Sequence, residues 1–330
     1  MPVKSFPSPW TSVYGLARTL VALGTSGTLL WSGSDTLFRP GVGRDDPVGC
    51  EGPRAIGLFC HIPEQQLDVG RLVCVAVLLV IASGWRPRWT ALPHAWITYS
   101  VWANIAIPDG GDQIACNLSI LLALAALGDP RRWHWDGPPE ERPGPARPQV
   151  TAFVCCSALV MARLQMSFLY FQACVAKLPH TEWADGTAMW YWSNNLAFGA
   201  PGWLDPVVEL AVGHPLGVAA LTWAPLFIEF GLALVLLLPQ RLRWYLLAAG
   251  VLFHLSIALM MGLWSFAFAM WAGLVVLCLP LGAHLRLGPS PELPTAEDPT
   301  HEPTQKPALR TTADADTDPP SRPADFAAQH

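Results

Sequence analysis

Long apolar runs alternate with short polar turns along most of the chain. Several of the runs approach the roughly 20 residues that a helix needs to cross a bilayer. The pattern predicts an all-α, polytopic integral membrane protein with about eight transmembrane helices. The predicted spans cover residues 13–32, 68–85, 91–107, 112–127, 150–177, 216–238, 244–262 and 264–282.

Arginines in the short turns predict how these helices are oriented. The sequences WRPRW, DPRRW and QRLRW follow the second, fourth and sixth spans, whereas residues 178–214 contain neither Lys nor Arg. Cytoplasmic loops of membrane proteins carry an excess of both residues. The sequence therefore predicts that both termini are cytoplasmic and that the odd-numbered spans end on the outer side.

Two longer segments fall on the predicted outer side. Residues 34–69 are rich in Gly and Pro and hold Cys50 and Cys60, which an oxidising compartment would join in a disulfide; two free thiols are the alternative. Residues 179–215 are too polar to span but rich in Trp, so we expect outer-face helices at the membrane interface.

Composition agrees with this picture and narrows the functional classes. The chain is 52% hydrophobic and 14% charged, whereas soluble domains carry about 25% charged residues. Basic patches with interleaved aromatic residues are missing, so nucleic-acid binding is not expected. Cys and His spacings typical of a metal site are also missing.

The predicted domain organisation has two parts. Residues 1–286 form the transmembrane domain. Residues 287–330 are rich in Pro, Thr and Asp and poor in aromatic residues, which predicts a disordered cytoplasmic tail.

Lys177 is the first candidate for chemistry. The chain has three lysines, and the other two, Lys4 and Lys306, lie near its ends. Desolvation can lower the pKa of a lysine enough for it to act as a base, whereas an arginine stays protonated. Lys177 is therefore a candidate base, a counter-ion for an anionic ligand, or a snorkelling anchor at the end of a span.

The fifth predicted span carries polar residues at helical spacing. Arg163, Ser167, Tyr170, Cys174 and Lys177 recur at intervals of 4, 3, 4 and 3 residues, which places them on one face. Such a face meets other helices or a cavity rather than lipid. It lines either a pocket open to the outer side or a polar seam between helices.

Three ionisable residues have similar predicted depths near the middle of the membrane. Arg163 and Glu229 form the expected structural ion pair, because an unpaired charge at this depth is costly. His254 is either a proton carrier or a core histidine, and we expect it to line the pocket. Arg18, near the inner end of the first span, is expected to snorkel to the inner surface.

The turn between the third and fourth spans holds Asp109 and Asp112. Asp112 either caps the start of a helix or, with Asp109, holds Lys177 charged or binds a substrate amine. We expect both carboxylates and Tyr170 to line the mouth of the pocket with Lys177, as candidate catalytic residues. Cys174 is expected to line the pocket, and the rings of Trp183 and Trp192, further along the chain, are expected to pack over it.

These motifs together resemble the HTTM superfamily, and most closely its bacterial SdpB-like branch. The superfamily includes the vitamin K-dependent γ-glutamyl carboxylases, whose lysine motif is similar to YFQACVAKL followed by WADGTAM. The resemblance covers roughly residues 10–285. It is also carried by the segments YGLARTLVALGT, LFRPGVG, GLFC, ASGWRPRWT, DGGDQ and DPRRWHW.

The resemblance implies a function at the outer face of a bacterial cell membrane. In the carboxylases the lysine that matches Lys177 deprotonates a reduced quinone, vitamin K; here the fourth span lacks their histidine, and their large lumenal domain is missing. SdpB-like proteins act with a small SdpA-like partner to mature a secreted antimicrobial peptide. The implied function is thus peptide maturation, by carboxylase-like chemistry with a reduced quinone as cofactor; a non-enzymatic peptide exporter or receptor is the alternative.

Overall fold

A computed structural model describes residues 8–40, 46–137, 147–196 and 198–284. Within these ranges the regular structure is helical, and the one β pairing is an isolated bridge between Trp85 and Trp133. The predicted all-α class is therefore confirmed. The predicted tail, residues 287–330, lies outside the described ranges.

Long and short helices alternate with tight turns. The long helices are α1 (Ser12–Trp31), α3 (Leu67–Ser83), α4 (Pro87–Asn104), α5 (Gly110–Leu127), α6 (Arg147–Lys177), α10 (Pro215–Ala233), α11 (Gln240–Met261) and α12 (Trp264–Cys278). The short helices are α2 (Ser34–Leu37), α7 (Thr181–Ala184), α8 (Ala188–Ser193) and α9 (Asp205–Val212).

Five helices, α3, α5, α6, α10 and α11, are long and apolar enough to cross a membrane. The other long helices coincide with the remaining predicted spans, but α12 has only 15 residues and α1 is less apolar. The count of eight spans stays a prediction. So does the interfacial position of α7, α8 and α9, although short helices do form there.

Helix α1 lies inside the bundle, which explains its polar composition. It packs against α3, α5 and α12, and 12 of its 20 residues are buried. A helix surrounded by other helices does not need an apolar surface for lipid. Its small and polar residues Gly24, Thr25 and Ser26 are accordingly buried against protein.

Turns predicted to be cytoplasmic meet at one end of the bundle. The amide of Arg86 donates to the carbonyl of Arg132, and that of His134 donates to the carbonyl of Gly84. Gly84 ends α3 with a φ of 92°, a conformation that favours glycine. The turn after α3 and the turn after α5 are thereby tied together.

The opposite end carries the loop between α2 and α3, which a disulfide between Cys50 and Cys60 closes. This loop is fixed to α4 by side chains. The Tyr99 hydroxyl donates to the carbonyl of Pro53 at 2.6 Å, and the Asn104 amide donates to the carbonyl of Arg54 at 3.2 Å. The disulfide expected from the sequence is therefore present in a segment that packs on the bundle.

Helices α5 and α12 approach closely at Gly111. A Cβ atom at this position would lie 2.4 Å from the Cα of Phe266. Gly111→Ala is expected to destabilise the protein by about 1–3 kcal/mol, because backbone must move to admit the methyl group. Thermal unfolding of the purified protein measures the effect. Gly27→Ala is the control, since a Cβ there meets nothing within 4 Å, and equal destabilisation by both changes would contradict the close approach.

Candidate functional site

A cavity of about 1340 Å³ lies between α5, α6, α10, α11 and α12 and is bordered by α8 and α9. Most of its wall is apolar and comes from Leu, Ile, Val, Met, Ala and Phe side chains. Pockets for small ligands usually measure about 300–1,000 Å³. This cavity therefore has room for a large apolar ligand or an extended peptide segment.

The charged groups in the cavity wall are Lys177 and Glu229, which form an ion pair. The Lys177 Nζ lies 2.6 and 2.7 Å from the two carboxylate oxygens of Glu229. It also donates to the carbonyl of Ala173, one turn earlier, at 3.1 Å. Lys177 therefore folds back along its own helix towards the interior instead of reaching outward as a snorkelling anchor.

The predicted pairing of Arg163 with Glu229 is wrong. Arg163 donates instead to the carbonyls of Val276, at 2.8 Å, and Leu279 at the end of α12. The contacts between α6 and α10 explain this result. Ser167 donates to the carbonyl of Ala233, the last residue of α10, so Arg163 lies beyond that end and Glu229 faces a later turn of α6.

Tyr170 and His254 join α6 to α11 within the cavity wall. The Tyr170 hydroxyl lies 3.0 Å from the His254 Nε2, and both side chains are buried. His254 Nδ1 has no hydrogen-bond partner among the described residues. Both residues line the cavity as the sequence predicted, and the histidine is held in place by the tyrosine.

The Trp183 ring, in the segment after α6, packs against Lys177 of the ion pair. The Lys177 Nζ lies 5.4 Å from the centre of the Trp183 ring, close enough for a cation–π contact. Trp183 also accepts a hydrogen bond on its carbonyl from Trp223 of α10, at 3.1 Å. Trp192 lines the same cavity. The predicted placement of Trp183 and Trp192 at the pocket therefore agrees with the structure.

The two aspartates of the turn before α5 do not line the cavity. The Asp109 carboxylate accepts from the amide of Asp112 at 2.8 Å, and the Asp112 carboxylate accepts from the amide of Asp109 at 3.0 Å. This reciprocal arrangement is a capping box. The prediction that Asp109 and Asp112 border the pocket mouth is therefore wrong. Asp112 does take part in helix capping, the alternative considered for it, but the N-cap residue is Asp109 and Asp112 is its partner at the third helical position.

Cys174 and Arg18 are also placed differently from the predictions. The Cys174 thiol faces the carbonyl of Leu226 at 3.6 Å, outside the cavity wall. Arg18 is only 1% exposed and contacts Thr90, so it does not snorkel. The predicted polar face of α6 therefore has two parts. Tyr170 and Lys177 border the cavity, whereas Arg163, Ser167 and Cys174 contact α10 or the end of α12.

Two glutamines in the cavity wall were missed by the sequence reasoning. Gln165 and Gln172 lie on α6 and both border the cavity. They are seven residues apart, which is two helical turns, so they share a face next to the predicted polar stripe. The sequence signal that could have identified them is the presence of two amide side chains, two turns apart, within an apolar helix.

A match to a protein family overlaps the part of the chain that forms most of the cavity. The HTTM domain model matches residues 144–280, which contain α6 to α12 and most of the cavity wall. No solved structure matches the chain.

Two Bacillus subtilis proteins are similar over most of their length. The uncharacterized protein YitO is 34% identical over 82% of this chain and 86% of its own length. The sporulation-delaying protein SdpB is 28% identical over 85% of each. The chain therefore belongs to the family of HTTM-domain membrane proteins that includes YitO and SdpB.

Proposed function

We propose that the chain is the membrane component of an SdpB-type antimicrobial-peptide maturation system and acts on a secreted peptide at the outer face of the bacterial cell membrane. The observation that carries this proposal is the Lys177–Glu229 ion pair in the wall of a large apolar cavity. An apolar cavity suits a ligand delivered from the bilayer or an apolar peptide segment. The ion pair supplies a proton donor and a proton acceptor inside it.

The ion pair, rather than Lys177 alone, is the unit that would exchange protons with a ligand. With Nζ within 2.7 Å of both carboxylate oxygens, one proton can move from the ammonium to the carboxylate. The neutral form of the pair then presents a free amine to the cavity. An amine can accept a proton from a bound hydroxyl group, as a general base does.

A reduced quinone of the vitamin K type would fit the residues present. The apolar wall suits its ring and tail, and the pair formed by Lys177 and Glu229 suits a hydroxyl group. When bound, such a cofactor would supply reducing equivalents for oxygen chemistry. The residues of this chain would orient its hydroxyl, hold or accept the proton at Lys177 Nζ, and exclude water through Trp183 and Trp192.

The proposed location is the bacterial cell membrane. Both termini are cytoplasmic, and the segment with α7, α8 and α9 lies at the outer face, where its freedom from Lys and Arg is expected. The partners are the secreted peptide precursor, a small SdpA-like protein and the lipid bilayer. The alternative function is a non-enzymatic peptide exporter or receptor that uses the same cavity for binding.

Lys177→Arg separates the two functions. Arginine preserves the ion pair with Glu229 but cannot become a neutral base. Peptides secreted by the organism that encodes the chain would be compared by mass spectrometry for the wild type, a deletion and this variant. We expect a modified or cleaved peptide in the wild type, and loss of the mass change with continued secretion in the variant.

Lys4→Arg is the matched control, because it makes the same chemical change near the N-terminus. It is expected to leave the peptide masses unchanged. A peptide that is chemically identical in every strain and differs only in secreted amount would overturn the enzyme proposal and establish the exporter or receptor.

A further inference from the structure

A second polar cluster is buried at the other end of the bundle from the cavity. It consists of Tyr14 and Arg18 on α1, Thr90 and His94 on α4, and His134 in the turn after α5. Tyr14, Arg18, His94 and His134 are each at most 2% exposed. We call these residues the Arg18 cluster, and the proposed function uses none of them.

Facing turns of α1 and α4 bring four of these residues together. Arg18 Nη2 donates to the Thr90 hydroxyl at 3.0 Å, and the guanidinium carbon lies 5.9 Å from the centre of the Tyr14 ring. Tyr14 precedes Arg18 by four residues, and Thr90 precedes His94 by four. Residues at this spacing are neighbours on one helix face, so His94 lies one turn from the contact between Arg18 and Thr90.

His134 is fixed against the same part of α1. A Cβ at Gly15 would lie 2.8 Å from its ring, and a Cβ at Gly84 would lie 2.5 Å from it. Its Nε2 lies 3.3 Å from the Thr19 hydroxyl. Burial, together with the nearby charges of Arg18 and Arg131, lowers the pKa of His134 to about 3, so the ring is neutral near pH 7.

Four polar atoms of the cluster lack hydrogen-bond partners among the described residues. They are the Tyr14 hydroxyl, Arg18 Nη1, His94 Nε2 and His134 Nδ1. Buried polar groups are nearly always hydrogen-bonded, and buried charges are paired. The Thr19 hydroxyl donates to the carbonyl of Ala82 and accepts from His134 Nε2–H, so Nδ1 of this neutral ring is an acceptor. The other three atoms can donate, and they belong to the guanidinium or to its neighbours, so they point to a missing partner that is negatively charged.

The carboxylate of Asp129, in the turn after α5, already has a partner. Asp129 binds Arg131 through both of its oxygens, at 2.9 and 2.8 Å. Within the described ranges, Arg18 forms no ion pair. Among the described residues the positive charge of Arg18 therefore has no carboxylate partner. Because Tyr14, Arg18, His94 and His134 are at most 2% exposed, a ligand that binds here has to be small.

We propose that the Arg18 cluster binds one small monovalent anion of the size of a halide. Arg18 supplies the opposite charge. The Tyr14 hydroxyl and the His94 Nε2–H donate the hydrogen bonds that the anion needs. The anion in turn satisfies donors that α1 and α4 would otherwise bury without partners, so it stabilises the end of the bundle at which these two helices meet.

Chloride is the probe for a first test. The purified full chain in detergent would be unfolded thermally in sodium gluconate and in sodium chloride at equal ionic strength. A ligand at about 100 times its dissociation constant is expected to raise the melting temperature of a chain of this size by about 5 °C. Equal melting temperatures across the titration would overturn the proposal.

Variants test whether the chloride-dependent rise in melting temperature comes from binding in the Arg18 cluster. Arg18→Gln is expected to abolish the chloride-dependent rise, and His94→Leu is expected to weaken chloride binding about tenfold through loss of one hydrogen bond. Arg88→Gln is the control, because Arg88 is an exposed arginine near the start of the same helix α4. A rise that survives in Arg18→Gln would overturn the assignment.

If Arg18→Gln does not fold, chloride binding to the wild-type protein tests the proposal directly. Equilibrium dialysis with radioactive chloride is expected to give one saturable site per chain that bromide displaces and sulfate does not. Ordered water alone in the cluster would give no saturable chloride binding, and a lipid phosphate already bound there would also prevent it. Either result would overturn the proposal.

Discussion

Lys177→Met is expected to destabilise the protein by about 3–5 kcal/mol, because it leaves the Glu229 carboxylate buried without its counter-charge. The Glu229 side chain is 6% exposed and that of Lys177 is 24% exposed, so solvent compensates the carboxylate poorly. Thermal or denaturant unfolding of the purified protein in detergent measures the loss.

The double variant Lys177→Met/Glu229→Gln tests the cause. Glutamine removes the charge that methionine cannot neutralise, so most of the lost stability is expected to return. Lys177→Arg is expected to stay close to the wild type, because a guanidinium can also bind the carboxylate. If the single and double variants unfolded alike, the ion pair would contribute no coupling energy and its role in the fold would be refuted.

Asp129→Asn is expected to have an effect of similar size, about 3–5 kcal/mol, at the other end of the bundle. The side chains of Asp129 and Arg131 are 0% and 3% exposed, and the amide change leaves the arginine buried without its counter-charge. Arg131 also donates to the carbonyl of Asp136 at 2.8 Å, so the whole turn after α5 depends on its position. Unfolding measurements on the purified protein report the loss.

Asp136→Asn is the matched control for this change. The Asp136 carboxylate accepts from the amide of Trp133 at 2.9 Å in an exposed position, and the expected cost is below about 1 kcal/mol. Asp129→Ala/Arg131→Met removes both buried charges and is expected to recover much of the stability. Equal losses for Asp129→Asn and Asp136→Asn would contradict the buried ion pair.

The positions of the long helices were predictable because each is a continuous apolar run. Helix α11 occupies Gln240–Met261 and α5 occupies Gly110–Leu127, close to the predicted spans 244–262 and 112–127. Turn chemistry helped in part, since Asp112 had been considered as a helix cap, and it does form a capping box, in which Asp109 is the N-cap residue. Local sequence settles such features because the groups involved are neighbours along the chain.

The partner of Glu229 was not predictable in the same way. The predicted depths of Arg163 and Glu229 came from counting residues inward from the ends of the predicted spans. Such a count assumes that neighbouring helices begin at the same depth in the membrane. Helix α6 has 31 residues and α10 has 19, and their contacts place the end of α10 opposite Ser167. The flexible side chain of Lys177 then reaches back by about one turn, which no periodicity encodes.

The sequence by itself determined the helical class, the approximate position of each long helix, the family, and Lys177 as the residue to examine. Apolar runs and motifs are local, and a rare lysine is visible without coordinates. The tertiary structure alone decided that Lys177 pairs with Glu229, that Arg163 binds the end of α12, and that Arg18 is buried with no carboxylate partner among the described residues. These outcomes depend on the relative heights of packed helices, which long-range contacts fix.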